Sequence, residues 1–177
     1  MFKNRLLEAI PEIELIEDQD LKEKTIKIWE KAMKKGGWKI DDLYRMPFTL
    51  LLESCPCSMI EHVRGVTKVA INAAKALKSI YGDKTKINMD FLISGALLHD
   101  IGKLIEYKEE KGKFSQSKLG TLVRHPISGV GLCYCEDVPG EILHIIASHS
   151  WEGGRSKRSP EAVIVHHADF TNFEQFK

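Results

Sequence analysis

The sequence contains no long hydrophobic run in its 177 residues. Its apolar segments at 46–52 and 91–98 are much shorter than the roughly 18 residues that a membrane-spanning helix requires. Residues 1–5 lead into an acidic, amphipathic stretch and not into the apolar segment of a signal peptide. We therefore expect no membrane association and a cytoplasmic location.

The sequence also has no excess of one charge sign, since 26 Lys and Arg face 25 Asp and Glu for a net charge of +1. General polyanion binders are usually more basic. Only 8% of the residues are aromatic, which argues against a long track of stacking side chains for a single strand. A nucleic-acid partner is therefore possible but not favoured.

Cysteine is scarce, with four residues in two pairs, Cys55-Pro-Cys57 and Cys133-Tyr-Cys135. In a reducing compartment we expect free thiols. A shared structural zinc site is the alternative, although a pair separated by one residue is a weaker zinc signal than a pair separated by two.

What the sequence does have is the composition of a globular protein, with 43% hydrophobic and 29% charged residues. A chain of this length buries about 70% of its surface on folding, so a core is possible without disulfides. The hydrophobic period is helical almost throughout, and strand-like alternation is absent. We predict an all-α, single compact domain over 1–177, in which residues 1–55 form a helical extension packed on the rest.

Several helix ends are marked by their local sequence. Gly36-Gly37 should end a helix that begins near Asp18. Ser58 and Glu61 have the spacing of a capping box that opens the next helix. Later helices are predicted over 88–98, from Pro126, from Pro139 and from Pro160, since proline suits a first helical turn.

The most unusual feature is a set of histidines and aspartates on faces that should be buried. Seven histidines are present; His62, His99 and His149 continue apolar stripes, and Asp169 lies on the apolar face of its helix. A buried carboxylate without a partner costs several kcal/mol. Each residue alone is readily explained as a core histidine or a salt-bridge partner, but together they have the nitrogen and oxygen donors that a divalent metal prefers.

The adjacent pair His99-Asp100 sharpens this interpretation. Neighbouring residues of a helix point about 100° apart, so both side chains reach one ion only near a helix end or a distortion. Gly102 permits such an end.

His62, then His99-Asp100, then Asp169 in this order resembles the metal-dependent phosphohydrolases of the HD-domain family. Residues 99–103 match the central motif of that family in its HDIG form, and the resemblance spans 58–169. It implies an all-helical metal-binding core. The layout is also similar to the HD domain of a bacterial 3′→5′ exoribonuclease, but no OB-like segment precedes the motif.

The resemblance implies a set of metal ligands. His62, His99, Asp100 and Asp169 would bind a first ion, while His125 and His149 would bind a second, with Asp100 bridging. The family often has His-His where this chain has His149-Ser150. One or two divalent ions are expected, and Fe, Mn, Zn, Co and Ni all accept such donors. A bound metal lowers the pKa of water toward roughly 7, and Asp100 is a candidate acceptor for the water proton.

Basic residues near these ligands are candidates for contacts with a phosphate. Lys103 follows the ligand pair by three residues and could reach a phosphate oxygen as a catalytic or binding group, or could instead be a surface lysine at a helix end. Arg124, Arg155 and Arg158 are the further candidates for substrate binding. His166 shares a face with Asp169 and is an alternative ligand.

Three functions remain open from the sequence. The leading one is a metal-dependent phosphohydrolase acting on a small nucleotide-like phosphate ester, either a monoester or a cyclic diester. The second is a nuclease on single-stranded RNA or DNA. The third is a metal-stabilised sensor or interaction module without turnover. A monomer or a homodimer is expected.

Overall fold

A computed structural model of the chain describes residues 2–177, so Met1 of the predicted domain lies outside the described residues. Helices account for most of the structure, which confirms the predicted all-α class. The α-helices are α1 (Phe2–Ala9), α2 (Gln19–Gly36), α3 (Met59–Tyr81), α4 (Met89–Leu98), α5 (Lys103–Glu106), α6 (His125–Tyr134), α7 (Gly140–Ser148) and α8 (Pro160–Glu174). Short 3₁₀ turns cover Pro11–Leu15, Ile40–Tyr44, Gly82–Lys84 and Trp151–Gly153.

The helix ends follow the local signals of the sequence. The side chain of Asp18 accepts the backbone N–H of Leu21 at the start of α2, and Gly37 ends this helix with a φ of 76°. Ser58 and Glu61 form the predicted capping box of α3. These are short-range hydrogen bonds that satisfy free backbone groups at helix ends, so the sequence alone suffices to place them.

Residues 107–116 form a small hairpin that the sequence analysis did not predict. Strands β1 (Tyr107–Glu110) and β2 (Lys113–Gln116) pair antiparallel, with Tyr107 opposite Gln116. Lys111 and Gly112 both have positive φ, as a two-residue hairpin turn requires. The hairpin is mostly polar and only Tyr107 is buried, so it shows little of the alternation that identifies a strand.

Helix α4 lies at the centre of the molecule and contacts α2, α3, α7 and α8. Its residues 92–98 are all buried, as expected for a helix that is covered on every side. Against it pack small side chains of α3, including Ala70 and Ala74. Val69 and Leu77 of the same helix are exposed.

Buried side chains of the first 55 residues, such as Leu6, Ile13 and Trp29, belong to the same core cluster as Leu97 and Leu98 of α4. The predicted extension and the helices that carry the motif therefore share one hydrophobic core. The assignment of residues 1–177 to a single domain stays a prediction. None of the described helices combines the length and the apolar character that crossing a membrane would require.

Residues 45–57 cross the surface beside the start of α3. The backbone N–H of Met59 donates to Met46, and the N–H of Phe48 donates to Cys57. Phe48 is buried here, and its ring stacks on the ring of His62 with the centroids 4.3 Å apart. The end of the N-terminal segment is thus fixed against one of the predicted metal ligands.

Gly102 connects α4 to α5 at a point where α6 approaches closely. A Cβ atom at this position would overlap the carbonyl oxygen of His125 and would lie 2.7 Å from Ser128 Oγ. We expect Gly102→Ala to lower the free energy of unfolding by about 1–3 kcal/mol, because the start of α6 must shift to accept it. Chemical denaturation measures this loss.

Gly131→Ala is the matched control, since this glycine lies in α6 with nothing within 4 Å of the added Cβ. Alanine is the better helix former by about 0.5–1 kcal/mol, so this variant should be as stable as the parent or more stable. Equal stability of Gly102→Ala and the parent would contradict the close approach.

Candidate metal centre

The His99-Asp100 pair lies where α4 ends. Helix α4 runs to Leu98, residues 99–102 form turns, and α5 begins at Lys103. Both side chains are buried and face the same group of polar residues. The predicted helix end at Gly102 is therefore confirmed, and it allows adjacent residues to reach a common point.

Four side chains from three helical segments form a first cluster of donors. His62 Nε2 and His99 Nε2 each lie 3.3 Å from Asp100 Oδ2. Asp169 Oδ1 from α8 lies 3.1 Å from His62 Nε2 and 3.9 Å from His99 Nε2. His62, His99 and Asp100 lie close enough together to hold one ion, and Asp169 forms a further possible ligand group with His99 and His149.

A second cluster forms on the other oxygen of Asp100. His125 Nε2 lies 3.3 Å from Asp100 Oδ1, and His149 Nε2 lies 3.6 Å from it. The two ring nitrogens are themselves 3.3 Å apart. Asp100 thus stands between the clusters, with one carboxylate oxygen directed at each.

The orientations of the imidazole rings leave the Nε2 atoms available for a cation. Nδ1–H of His99 donates to the Ala96 carbonyl at 2.6 Å, and Nδ1–H of His149 donates to the Ile146 carbonyl at 2.8 Å. Since a carbonyl only accepts, the proton of each neutral ring is assigned to Nδ1. The Nε2 lone pairs of His99 and His149 then lie 3.3 Å and 3.6 Å from the oxygens of Asp100, an arrangement that is repulsive unless a cation lies between them.

The electrostatics of the first cluster lead to the same conclusion. Burial disfavours a charge on His62, but the carboxylates of Asp100 and Asp169 outweigh it and raise the pKa of His62. Burial likewise opposes ionisation of Asp169, but the hydrogen bond from His62 and the nearby His99 lower the pKa of Asp169 to about 2. The cluster therefore favours positive charge, and its nitrogen and oxygen donors fit a divalent metal.

Lys103 is buried at the base of the site. Its Nζ donates to Asp100 Oδ2 at 2.6 Å and to the Phe48 carbonyl at 2.7 Å. Burial of Asp100 is outweighed by the charges of Lys103 and His99, which hold the pKa of Asp100 well below its usual range. Lys103 thus keeps the Asp100 carboxylate ionised and in place; it is not the surface lysine considered from the sequence.

The three predicted arginines lie in different surroundings. Arg124 lines the cavity over the metal centre, and its Nη1 and Nε donate to Glu106 at 2.8 Å and to Glu152 at 3.2 Å. Arg158 donates to the backbone carbonyls of Ser148 and Ser150. Arg155 is exposed and, like Arg158, is not among the residues that line this cavity.

A cavity of about 1020 Å³ opens above the donors. Asp100, His125 and Asp169 lie at its base, and residues 47–53 and the β-hairpin supply part of its wall. Trp151 lies at its edge with 83% of its surface exposed. Access to the donors is therefore through a pocket shaped by segments outside the motif.

Other histidines and the cysteines lie outside the donor clusters. His166 Nδ1–H donates to the His149 carbonyl at 2.5 Å, so it supports that residue instead of joining the donors. All four cysteines are free. Within residues 2–177, the groups that could hold a metal contain only histidine and aspartate, which gives no support to the zinc alternative for the Cys pairs.

Sequence reasoning missed Glu106, Phe48 and Tyr107. Glu106 is buried against His125, and Phe48 covers His62. Tyr107 lines the cavity, and burial raises the pKa of its hydroxyl to about 12. No motif marks these residues, because each reaches the site only through long-range packing.

The chain matches the family model described as HD domain over residues 59–171, which contain all six predicted ligands. The chain belongs to the HD-domain family. This confirms the predicted family of phosphohydrolases, and the structure places the motif histidines and aspartates together. The first predicted ligand and the last are separated by more than 100 residues, so their proximity is a property of the fold.

One curated relative of this HD-domain protein is a dihydroneopterin 2′,3′-cyclic phosphate phosphodiesterase from Methanocaldococcus jannaschii. It is 33% identical over an alignment of 168 positions, which covers 88% of this chain. The matched region is 64% of the relative, so the chain spans less than two thirds of that protein's length. No solved structure matches the chain.

Proposed function

We propose that this HD-domain protein is a metal-dependent phosphodiesterase that opens the cyclic phosphate of a small, nucleotide-like molecule. The observation that carries the proposal is the pair of donor clusters joined by the two oxygens of Asp100. Two ions held about 3.5–4 Å apart suit hydrolysis of a phosphodiester. The named activity of the M. jannaschii relative supports a cyclic phosphate as the scissile group.

The cavity favours a small molecule over a nucleic-acid strand. Its volume of about 1020 Å³ lies near the upper end of the range for small-molecule sites. Three glutamates line it, Glu53, Glu106 and Glu152, and the last two neutralise Arg124. A strand of phosphates needs a continuous basic track, which this lining does not form.

Divalent ions in the two clusters would polarise a phosphate oxygen and lower the pKa of a water molecule. The chain's own residues prepare that chemistry. Asp100 holds the clusters at a fixed separation, and Lys103 keeps its carboxylate ionised through the bond to Oδ2. An ionised Asp100 is in the correct state to accept a proton from the attacking water. The bound metal can be Fe, Mn, Zn, Co or Ni, and the proposal does not choose among them.

Contacts with the substrate phosphate are proposed for Arg124 and Lys103, which both line the cavity. Arg124 bonds the two glutamates through Nε and Nη1, which leaves Nη2 for a phosphate oxygen. Substrate contacts of Arg155 and Arg158 stay predictions. The positions of these two residues outside the cavity lining do not favour such contacts. A cytoplasmic location, and a monomeric or dimeric state, also stay predictions.

A substrate panel tests the proposal on protein loaded with each divalent metal under anaerobic conditions. The panel contains a nucleoside 2′,3′-cyclic phosphate, a 3′,5′-cyclic nucleotide, a nucleoside monophosphate and a single-stranded oligonucleotide. We expect the 2′,3′-cyclic phosphate to be converted to a monoester without release of inorganic phosphate, as followed by phosphorus NMR.

Three results of the panel would contradict the proposal. Release of inorganic phosphate from the monophosphate alone would make the protein a monoesterase. Shortening of the oligonucleotide with strongly salt-dependent binding would favour the nuclease. Loss of thermal stability on chelation, with no turnover of any compound, would favour a metal-stabilised module.

A further inference from the structure

Glu106 is the last residue of α5 and is only 2% exposed. Its Oε2 accepts the backbone N–H of His125 at 2.6 Å and Nδ1–H of the same residue at 3.2 Å. Its Oε1 accepts Arg124 Nη1–H at 2.8 Å. One buried carboxylate therefore holds both the backbone and the ring of a proposed metal ligand.

We propose that Glu106 is a positioning residue that fixes the ring of His125 and thereby sets the affinity of the second cluster for its ion. The inference rests on the proposed two-ion site. Glu106 faces Nδ1 of His125, whereas the opposite ring atom, Nε2, faces Asp100 Oδ1. It acts through the histidine and does not belong to the donor cluster.

The local structure explains why His125 needs this support. His125 is the first residue of α6, and the residue before it, Arg124, provides no side-chain cap. Glu106, which lies in another part of the chain, accepts the free backbone N–H at the start of α6. Negative charge is also favourable at this end of a helix. The histidines of α4 and α7 differ, because His99 and His149 donate to carbonyls of their own helices.

The charge of Glu106 adds to its geometric effect. Its Oε1 forms an ion pair with Arg124 Nη1 at 2.8 Å. An ionised carboxylate on Nδ1–H makes the imidazole a better donor at Nε2, and loss of such a partner typically costs about 10–100-fold in metal affinity. A neutral side chain of the same shape would keep the packing but not this effect.

The test is a calorimetric titration of metal-free protein with Mn²⁺ under anaerobic conditions. The parent and Glu106→Gln are compared. We expect the affinity for one of two ions to fall about 10–100-fold and the affinity for the other to be unchanged. Glu12→Gln is the matched control, because Glu12 is 4% exposed and bonds Arg64 but none of the donors. It should bind both ions as the parent does.

The outcomes separate this inference from the function on which it rests. If the parent binds a single ion, the two-ion site is wrong. If the parent binds two and Glu106→Gln binds both with unchanged affinity, or loses both equally, the positioning role is overturned. Should Glu106→Gln fail to fold, Glu106→Asp replaces it: the shorter side chain keeps the charge, and unchanged affinity for both ions would again overturn the role.

Discussion

Asp100→Ala is expected to abolish hydrolysis and to remove both ions from the purified protein. Its two oxygens face both clusters, Oδ2 toward His62 and His99 and Oδ1 toward His125 and His149. Lys103 would also lose its carboxylate partner and stay buried with an uncompensated charge. Since each 1.36 kcal/mol of lost transition-state stabilisation is tenfold in rate, a loss of several kcal/mol means a fall of more than about 10³-fold.

Metal content by mass spectrometry and turnover of the cyclic phosphate check this result together. Asp90→Ala is the control, because Asp90 lies at the start of α4 and accepts backbone N–H groups of Glu17 and Asp18. It should keep its metal and its activity. An Asp100→Ala protein with full activity would show that the proposed mechanism is wrong.

The double variant His125→Ala/His149→Ala should lose one ion and keep the other. These two rings supply the nitrogen donors around Asp100 Oδ1, while the donors around Oδ2 are unchanged. Hydrolysis of the cyclic phosphate should fall steeply, because the loss of one ion removes half of the clamp on the attacking and leaving oxygens. The ratio of metal to protein, measured by mass spectrometry, gives the answer directly.

His144→Ala/His167→Ala is the matched control, since it removes two histidines outside the clusters. His144 accepts the backbone N–H of Ser159, and His167 is exposed. The control should keep both ions. If the His125/His149 variant has the same stoichiometry as this control, the second ion of the proposal does not exist.

The helix ends could be predicted because their signals are local, whereas the metal ligands are predictions that rest on the resemblance to the family. Asp18, Ser58 and Gly37 act within about one helical turn, through hydrogen bonds that any helix end needs. The His99-Asp100 pair predicted a helix end beside Gly102, because adjacent residues cannot otherwise share an ion. The order of the donors then indicated the family.

The hairpin could not be predicted with the same rules, because Tyr107 is its one buried strand residue. Its turn at Lys111-Gly112 has the required positive φ, but the flanking residues are polar. The sequence of residues 45–57 likewise gave no indication of a role at the site, although Phe48 packs on His62. Their place beside the cavity follows from tertiary packing and not from a periodic pattern.

Which polar groups pair with one another was decided only by the tertiary structure. Arg124 and Arg158 were candidates for substrate contacts, but Arg124 bonds Glu106 and Glu152, which lie 18 and 28 positions away in the chain. The buried environment of Glu106 and the ring orientation of His125 arise together when α5 and α6 meet. The sequence determined which side chains are able to bind a metal, since that depends on their chemistry; their orientation and ionisation depend on distant neighbours, and only folding brings those neighbours within hydrogen-bond distance.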